Sequence, residues 1–190
     1  PPEFRQKTTA RLMEKLKENN MKLKTGFLGT PYLCRALSEN GENEAAYTLL
    51  LDEKAPGWLY EVNLGATTIW ERWNSYMIDK GMGPRGMNSF NHYAYGCVCE
   101  WIRETVAGIA ADPATPGFKH IIMKPIPDKR LGHVTAEYRS AAGLIKSAWK
   151  YEGDTWIWEF TIPKGVTATV TLPREMKSKE YGSGTYKVTK

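Results

Sequence analysis

Cysteine and histidine are scarce in this 190-residue chain, with three of each. Cys97 and Cys99 stand two apart, so on a helix they point away from each other and can neither bridge nor chelate together. With Cys34 alone elsewhere, no disulfide framework is expected. His92, His120 and His133 show no metal-ligand spacing, so no metal site and no cofactor are expected. No apolar run approaches the roughly 20 residues of a transmembrane helix. Internal repeats and low-complexity segments are also missing. The chain opens Pro1-Pro2-Glu3 without a methionine, so the true N-terminus is expected elsewhere and no compartment is assigned. What is present is ordinary for a folded globular chain: 42% hydrophobic and 25% charged residues, enough to bury a core.

The net charge of +5 raises the question of an anionic partner, and its distribution argues against one. Residues 1–24 carry +4, residues 25–114 carry −5 and residues 115–190 carry +6. The basic surplus lies in the flanks as scattered lysines, the pattern of a solvated face. Neither nucleic acid nor a membrane is an expected partner.

The first part of the chain has helical texture. Phe4 to Asn20 is amphipathic, with Leu12, Met13 and Leu16 on one face. Thr30-Pro31 reads as a helix start, with proline at the first helical position, and Gly41 as its end. Glu42 to Leu51 forms the next helix, stopped by Pro56-Gly57. A short helix is expected from Thr68 to about Asn74, then a Gly- and Pro-rich loop from Met77 to Asn88. The longest helix is expected over Phe90 to Val106, where Phe90, Ala94, Cys97, Val98, Trp101 and Ile102 follow one buried stripe. His92 lies about 200° round from Phe90, off that stripe, which fits poorly with simple core burial.

After Asp112-Pro-Ala-Thr-Pro-Gly117 the texture changes to short strands around 119–123, 134–139, 144–151, 155–162, 166–172 and 184–188, separated by glycines and prolines. The expected organisation is helices over 1–112 followed by an antiparallel β-sandwich over 113–190. Trp156 and Trp158 share one face of their strand and read as core rather than as a sugar platform.

The densest functional signal is Leu-Gly-Ala-Thr-Thr-Ile-Trp-Glu-Arg-Trp over residues 64–73. Glu71 sits between Trp70 and Trp73. Flanking indoles offer a sugar an apolar face and set a carboxylate's basicity through a low-dielectric wall. A plainer reading competes: Thr68 and Glu71 have capping-box spacing, in which Glu71 would return to the Thr68 backbone N–H.

Two more blocks bear on that choice. Residues 87–96 read Met-Asn-Ser-Phe-Asn-His-Tyr-Ala-Tyr-Gly, and residues 25–33 read Thr-Gly-Phe-Leu-Gly-Thr-Pro-Tyr-Leu. In this order the three blocks resemble the C-terminal half of the bacterial α-L-rhamnosidase family of glycoside hydrolases. The likeness continues through Val106-Ala-Gly-Ile109, Pro116-Gly-Phe-Lys-His120, Gly143-Leu-Ile-Lys-Ser-Ala-Trp149 and Gly182-Ser-Gly-Thr-Tyr186. The resemblance implies the last helices of an (α/α)6 catalytic toroid followed by the terminal sandwich. It implies rhamnose-containing glycosides or polysaccharides as substrates, and hydrolysis with inversion. Glu71 falls on the family's general base. His92, 21 residues later, falls on its sugar-contacting histidine, and Trp70 joins them as a substrate-binding residue. Arg72 is expected to be a structural ion-pair partner.

Glycoside hydrolysis normally needs two carboxyl groups. The family's general acid lies in an upstream acidic block with no counterpart in this sequence. Glu61 is the nearest alternative, but nothing about its setting in sequence suggests a raised pKa. The expectation is therefore a rhamnosidase fragment with half a site, inactive alone, exposing apolar surface through which it self-associates. Two further readings stand beside it: a hydrolase of another sugar on the same toroid, and a non-catalytic carbohydrate-binding or structural module.

Overall fold

The amphipathic spacing of the first residues produces α1 (Arg5–Glu18) in the computed structural model, which describes residues 2–190. A single 3-10 turn (Pro2–Phe4) leads into it, and Leu16 is its one buried residue. Pro31 sits in the first turn of α2 (Thr30–Glu39), where its missing N–H costs nothing. Asn40 and Gly41, the latter at φ +86°, turn the chain into α3 (Asn43–Leu50). Leu33, Cys34 and Leu37 of α2, with Ala46, Tyr47 and Leu49 of α3, form the packed centre of this unit.

From here to Val106 the fold departs from the elements expected in sequence in four places. A helix α4 (Trp58–Asn63) follows Gly57 and buries Trp58, Tyr60 and Glu61. No helix forms over 68–74. Thr67, Thr68 and Ile69 are β-branched and poor helix formers, and the segment's polar groups pair with residues 89–92 instead. The expected loop contains a two-rung hairpin, β1 (Tyr76–Met77) against β2 (Gly81–Met82). The long helix starts only at Ala94. It runs as 3-10 turns (Ala94–Cys97), α5 (Val98–Trp101) and a π-helical stretch (Ile102–Val106). The Ala107 N–H bonds to the Ile102 carbonyl at 2.8 Å, the wider spacing that defines the π turn.

Two compact units divide between Cys99 and Glu100, inside that helical run. Residues 100–107 side with the strands because their last carbonyls are taken there. Trp149 Nε1 donates to the Val106 carbonyl at 2.8 Å, and Ser147 Oγ to the Ala107 carbonyl at 2.6 Å.

The second unit holds two four-stranded sheets. One has the order β10 (Gly184–Thr189), β7 (Thr155–Ile162), β6 (Gly143–Glu152), β5 (His133–Ser140), all antiparallel. The other has the order β3 (Ala110–Ala111), β4 (His120–Met123), β8 (Thr167–Thr171), β9 (Ser178–Tyr181). Here the antiparallel expectation fails for one pair: β4 and β8 run parallel, His120 opposite Thr167. The intervening strands β5, β6 and β7 form the first sheet, so the chain returns beside β4 in the same direction, as a crossover requires. Period-2 burial of β7 turns Trp156, Trp158, Phe160 and Ile162 inward. Both tryptophans are core, as their spacing predicts, at 4% and 0% exposed. Phe160 meets Tyr181 of the second sheet edge-on at 5.5 Å.

Candidate active site

Two extended segments of the first unit hold the candidate residues. The Thr68 hydroxyl donates to the Phe90 carbonyl, the Glu71 N–H to the Ser89 carbonyl at 2.9 Å, and the His92 N–H to the Ile69 carbonyl at 2.8 Å. These bonds bring residues 68–71 alongside 89–92. The capping box does not form: Glu71 Oε2 accepts the Ser89 N–H at 2.7 Å and does not return to Thr68. Glu71 is thus tied to Ser89 twice, by its own backbone N–H and by one carboxylate oxygen. The residue is only 9% exposed, and Oε1 makes no hydrogen bond among the described residues. A carboxylate with one oxygen clamped and the other open is oriented, and it can still accept a proton.

His92 is half-buried, its ring stacked between Phe27 (4.8 Å) and Tyr93 (5.2 Å). Nδ1 accepts the Ala94 N–H at 3.3 Å, which leaves Nε2 to carry the proton of the neutral ring. The imidazole therefore presents a donor at Nε2.

The tryptophans play unequal parts. Trp70 is buried at 5% exposed and meets Phe90 edge-on at 5.1 Å, so it is a wall rather than an open platform. Trp73 stacks on Tyr95 at 3.8 Å, meets Trp58 edge-on at 5.3 Å and donates its Nε1–H to the Thr25 carbonyl at 3.0 Å. Trp58 Nε1 donates in turn to the Tyr95 carbonyl at 2.9 Å. This ring cluster draws all three sequence blocks together. The Arg72 ion-pair expectation fails: its Nε donates to the Met87 carbonyl at 2.6 Å, closing the loop before Asn88.

Glu61 also differs from its sequence expectation. It is 2% exposed, and its Oε2 accepts the Trp70 N–H at 3.3 Å. Oε1 is buried with no hydrogen-bond partner among the described residues. Burial pushes its carboxyl up to about 7, the single Trp70 N–H pulling weakly the other way. The signal for this was available only through α4: once residues 58–63 are helical, Trp58 and Glu61 stand three apart on one inward face. Phe27 and Tyr95, which complete the aromatic cluster, sit inside blocks the sequence had marked but were not singled out there. Among the described residues no group of three or more His, Cys, Asp or Glu side chains could hold a metal ion.

Comparison with known proteins places this geometry. The profile of the bacterial alpha-L-rhamnosidase 6 hairpin glycosidase domain matches residues 1–106, and that of the bacterial alpha-L-rhamnosidase C-terminal domain matches residues 108–187. The chain is 42% identical over 173 residues to an alpha-L-rhamnosidase of Formosa agariphila, covering 91% of this chain and 18% of that protein. It is 40% identical over 163 residues to one of an Alteromonas species, covering 86% and 18%. Among solved structures, the Streptomyces avermitilis alpha-L-rhamnosidase complexed with L-rhamnose superposes with a TM-score of 0.90 at 32% identity, covering 100% of this chain and 20% of that one. The Aspergillus terreus enzyme gives 0.90 at 35% identity, covering 97% and 21%. The chain thus spans about a fifth of the length of the relatives it matches. With one family profile covering 1–106 and a second 108–187, this chain belongs to the bacterial α-L-rhamnosidase family.

Proposed function

We propose that this chain is the C-terminal part of an α-L-rhamnosidase that hydrolyses terminal α-L-rhamnosyl residues with inversion, and that Glu71 is its general base. On this reading residues 1–112 are the last helices of an (α/α)6 toroid, and residues 113–190 are the terminal β-sandwich. The observation that carries the assignment is the held carboxylate: Oε2 clamped by the Ser89 N–H, Oε1 open. In an inverting reaction the base removes a proton from water as that water attacks the anomeric carbon. A general acid on the opposite side of the sugar protonates the departing oxygen, the two carboxyls standing roughly 6.5–9.5 Å apart. No acidic block of the kind that supplies the family's acid occurs in this chain, so the acid comes from the remainder of the parent protein. His92 Nε2 donates to a sugar hydroxyl and orients the ring, with no part in proton transfer. Trp70 contributes an edge of the pocket wall.

Glu71→Gln in the full-length parent should lower kcat on an aryl α-L-rhamnoside by roughly 10²–10⁴-fold, the usual worth of general-base assistance. A purely structural role would show instead as lost stability with kcat intact in the folded fraction. The 190-residue chain assayed alone should be inactive. Robust turnover by the isolated chain, abolished by Glu71→Gln, would mean that the acid lies within it.

A further inference from the structure

We propose that Glu61 is a positioning residue for the base: a carboxyl buried behind the Trp70–Glu71 turn that holds the Trp70 peptide through its N–H. The proposal rests on the reading of Glu71 as the base and concerns how that base is kept in place.

The geometry points one way. Glu61 ties both ends of the connection between α4 and the site. Its main-chain carbonyl accepts the N–H groups of Leu64 and Ala66, both at 3.1 Å, and its carboxyl accepts that of Trp70 at 3.3 Å. Trp70 immediately precedes Glu71, and both groups that anchor Glu71 go to the Ser89 peptide. A displacement of the Trp70 peptide is therefore passed directly to the base.

Burial favours the uncharged form of Glu61. A buried carboxylate is tolerable when several N–H groups or a cation face it. This one has a single N–H and an oxygen without a partner among the described residues. The titratable group facing it is Tyr95, whose hydroxyl is pushed up first by burial and then by the charge of Glu61. Arg72 and Cys97 act on that same tyrosine in opposite directions, Arg72 lowering it and Cys97 raising it. As a neutral acid, Glu61 accepts the Trp70 N–H through its carbonyl oxygen. When it ionises, near pH 7, the Trp70 N–H faces a full negative charge, so that bond tightens and the Trp70 peptide is drawn toward the carboxylate.

The test is spectroscopic, with a kinetic arm. In the ¹⁵N-labelled chain, the backbone amide signals of Trp70 and Ser89 should both shift in a step with a midpoint near pH 7. Both steps should vanish in Glu61→Gln, whose neutral amide can still accept the Trp70 N–H. In the full-length parent, Glu61→Gln should keep the wild-type kcat at pH 5.5, whereas Glu61→Ala should lose roughly 10- to 100-fold in kcat with KM little changed. A Trp70 amide that is flat near pH 7, or a Ser89 amide that stays still while Trp70 moves, overturns the proposal. So does a Glu61→Gln variant as impaired as Glu61→Ala. The base assignment fails separately: it falls if Glu71→Gln leaves kcat intact, whatever the amides do.

Discussion

Glu61→Gln should make the folded chain less sensitive to pH, by an amount that follows from burial. The Glu61 carboxyl ordinarily titrates near 4.5 and here is pushed up to about 7. Unfolding releases it to water, where it gives up its proton more readily. Between those two values the unfolded chain binds fewer protons than the folded one, so stability falls as pH rises. The contribution is fully present below about pH 4.5, declines through the interval, and levels off above 7. A gap of about 2.5 at ~1.36 kcal/mol per pH unit corresponds to roughly 3 kcal/mol. Glutamine mimics the protonated acid in shape and charge and does not titrate. Wild type and variant should therefore unfold at similar urea concentrations at pH 4, and the variant should be the more stable by roughly 3 kcal/mol at pH 8. Urea unfolding followed by tryptophan fluorescence at several pH values measures the difference directly. Parallel pH profiles for the two proteins would mean that Glu61 reaches water in the folded chain, and the argument from burial would fail.

Three other outcomes are expected. His92→Ala in the full-length parent should lower kcat/KM by about 0.5–1.5 kcal/mol, the worth of one hydrogen bond to an uncharged group, leaving detectable turnover; wild-type efficiency would remove His92 from the site. Ser147→Ala should destabilise the second unit by roughly 2–4 kcal/mol, because it strands both the Trp158 N–H (2.9 Å) and the Ala107 carbonyl (2.6 Å); a change under about 1 kcal/mol in thermal unfolding would show that the structure re-pairs them. With Leu28 at 90% and Tyr93 at 88% exposed, the chain should self-associate at high concentration, and a clean monomer by sedimentation velocity would contradict that.

The parts of this fold that were legible in sequence are those decided by local rules. Helices α1 to α3 follow from apolar spacing and from Pro31, Asn40 and Gly41. The long β strands follow from period-2 alternation, as in Thr155–Ile162. What escaped was decided by tertiary partners. Residues 68–71 have a helix-start pattern, yet pairing with 89–92 outcompetes it, because the Ser89 N–H and carbonyl are better partners than a lone first turn. Strand β9 carries Ser178-Lys-Glu-Tyr181, with no apolar alternation, and exists because β8 offers it an edge. The parallel β4–β8 pair depends on where the chain returns after three strands, which no local pattern records. Glu71, Trp70 and His92 were legible as candidates because residue type and order carry them. Glu61 was not, because its character comes from burial alone.

The contacts around Glu71 have a consequence for how the half-site is built. Its supports are Glu61, Ile69, Ser89 and Phe90, and the ring cluster behind it joins Trp58, Trp73 and Tyr95. All lie between residues 58 and 95, within the first unit. The Glu71 carboxylate is therefore held by bonds made within this one unit. An orienting shell of this kind places the carboxylate before substrate arrives, so little reorganisation is left for the reaction itself. It also separates two properties that a complete glycosidase site combines. On the proposed reading, orientation of the base belongs to this stretch of chain, whereas the partner carboxyl comes from the remainder of the parent protein. On that reading, substitutions at Ser89-facing positions should alter kcat through the held carboxylate.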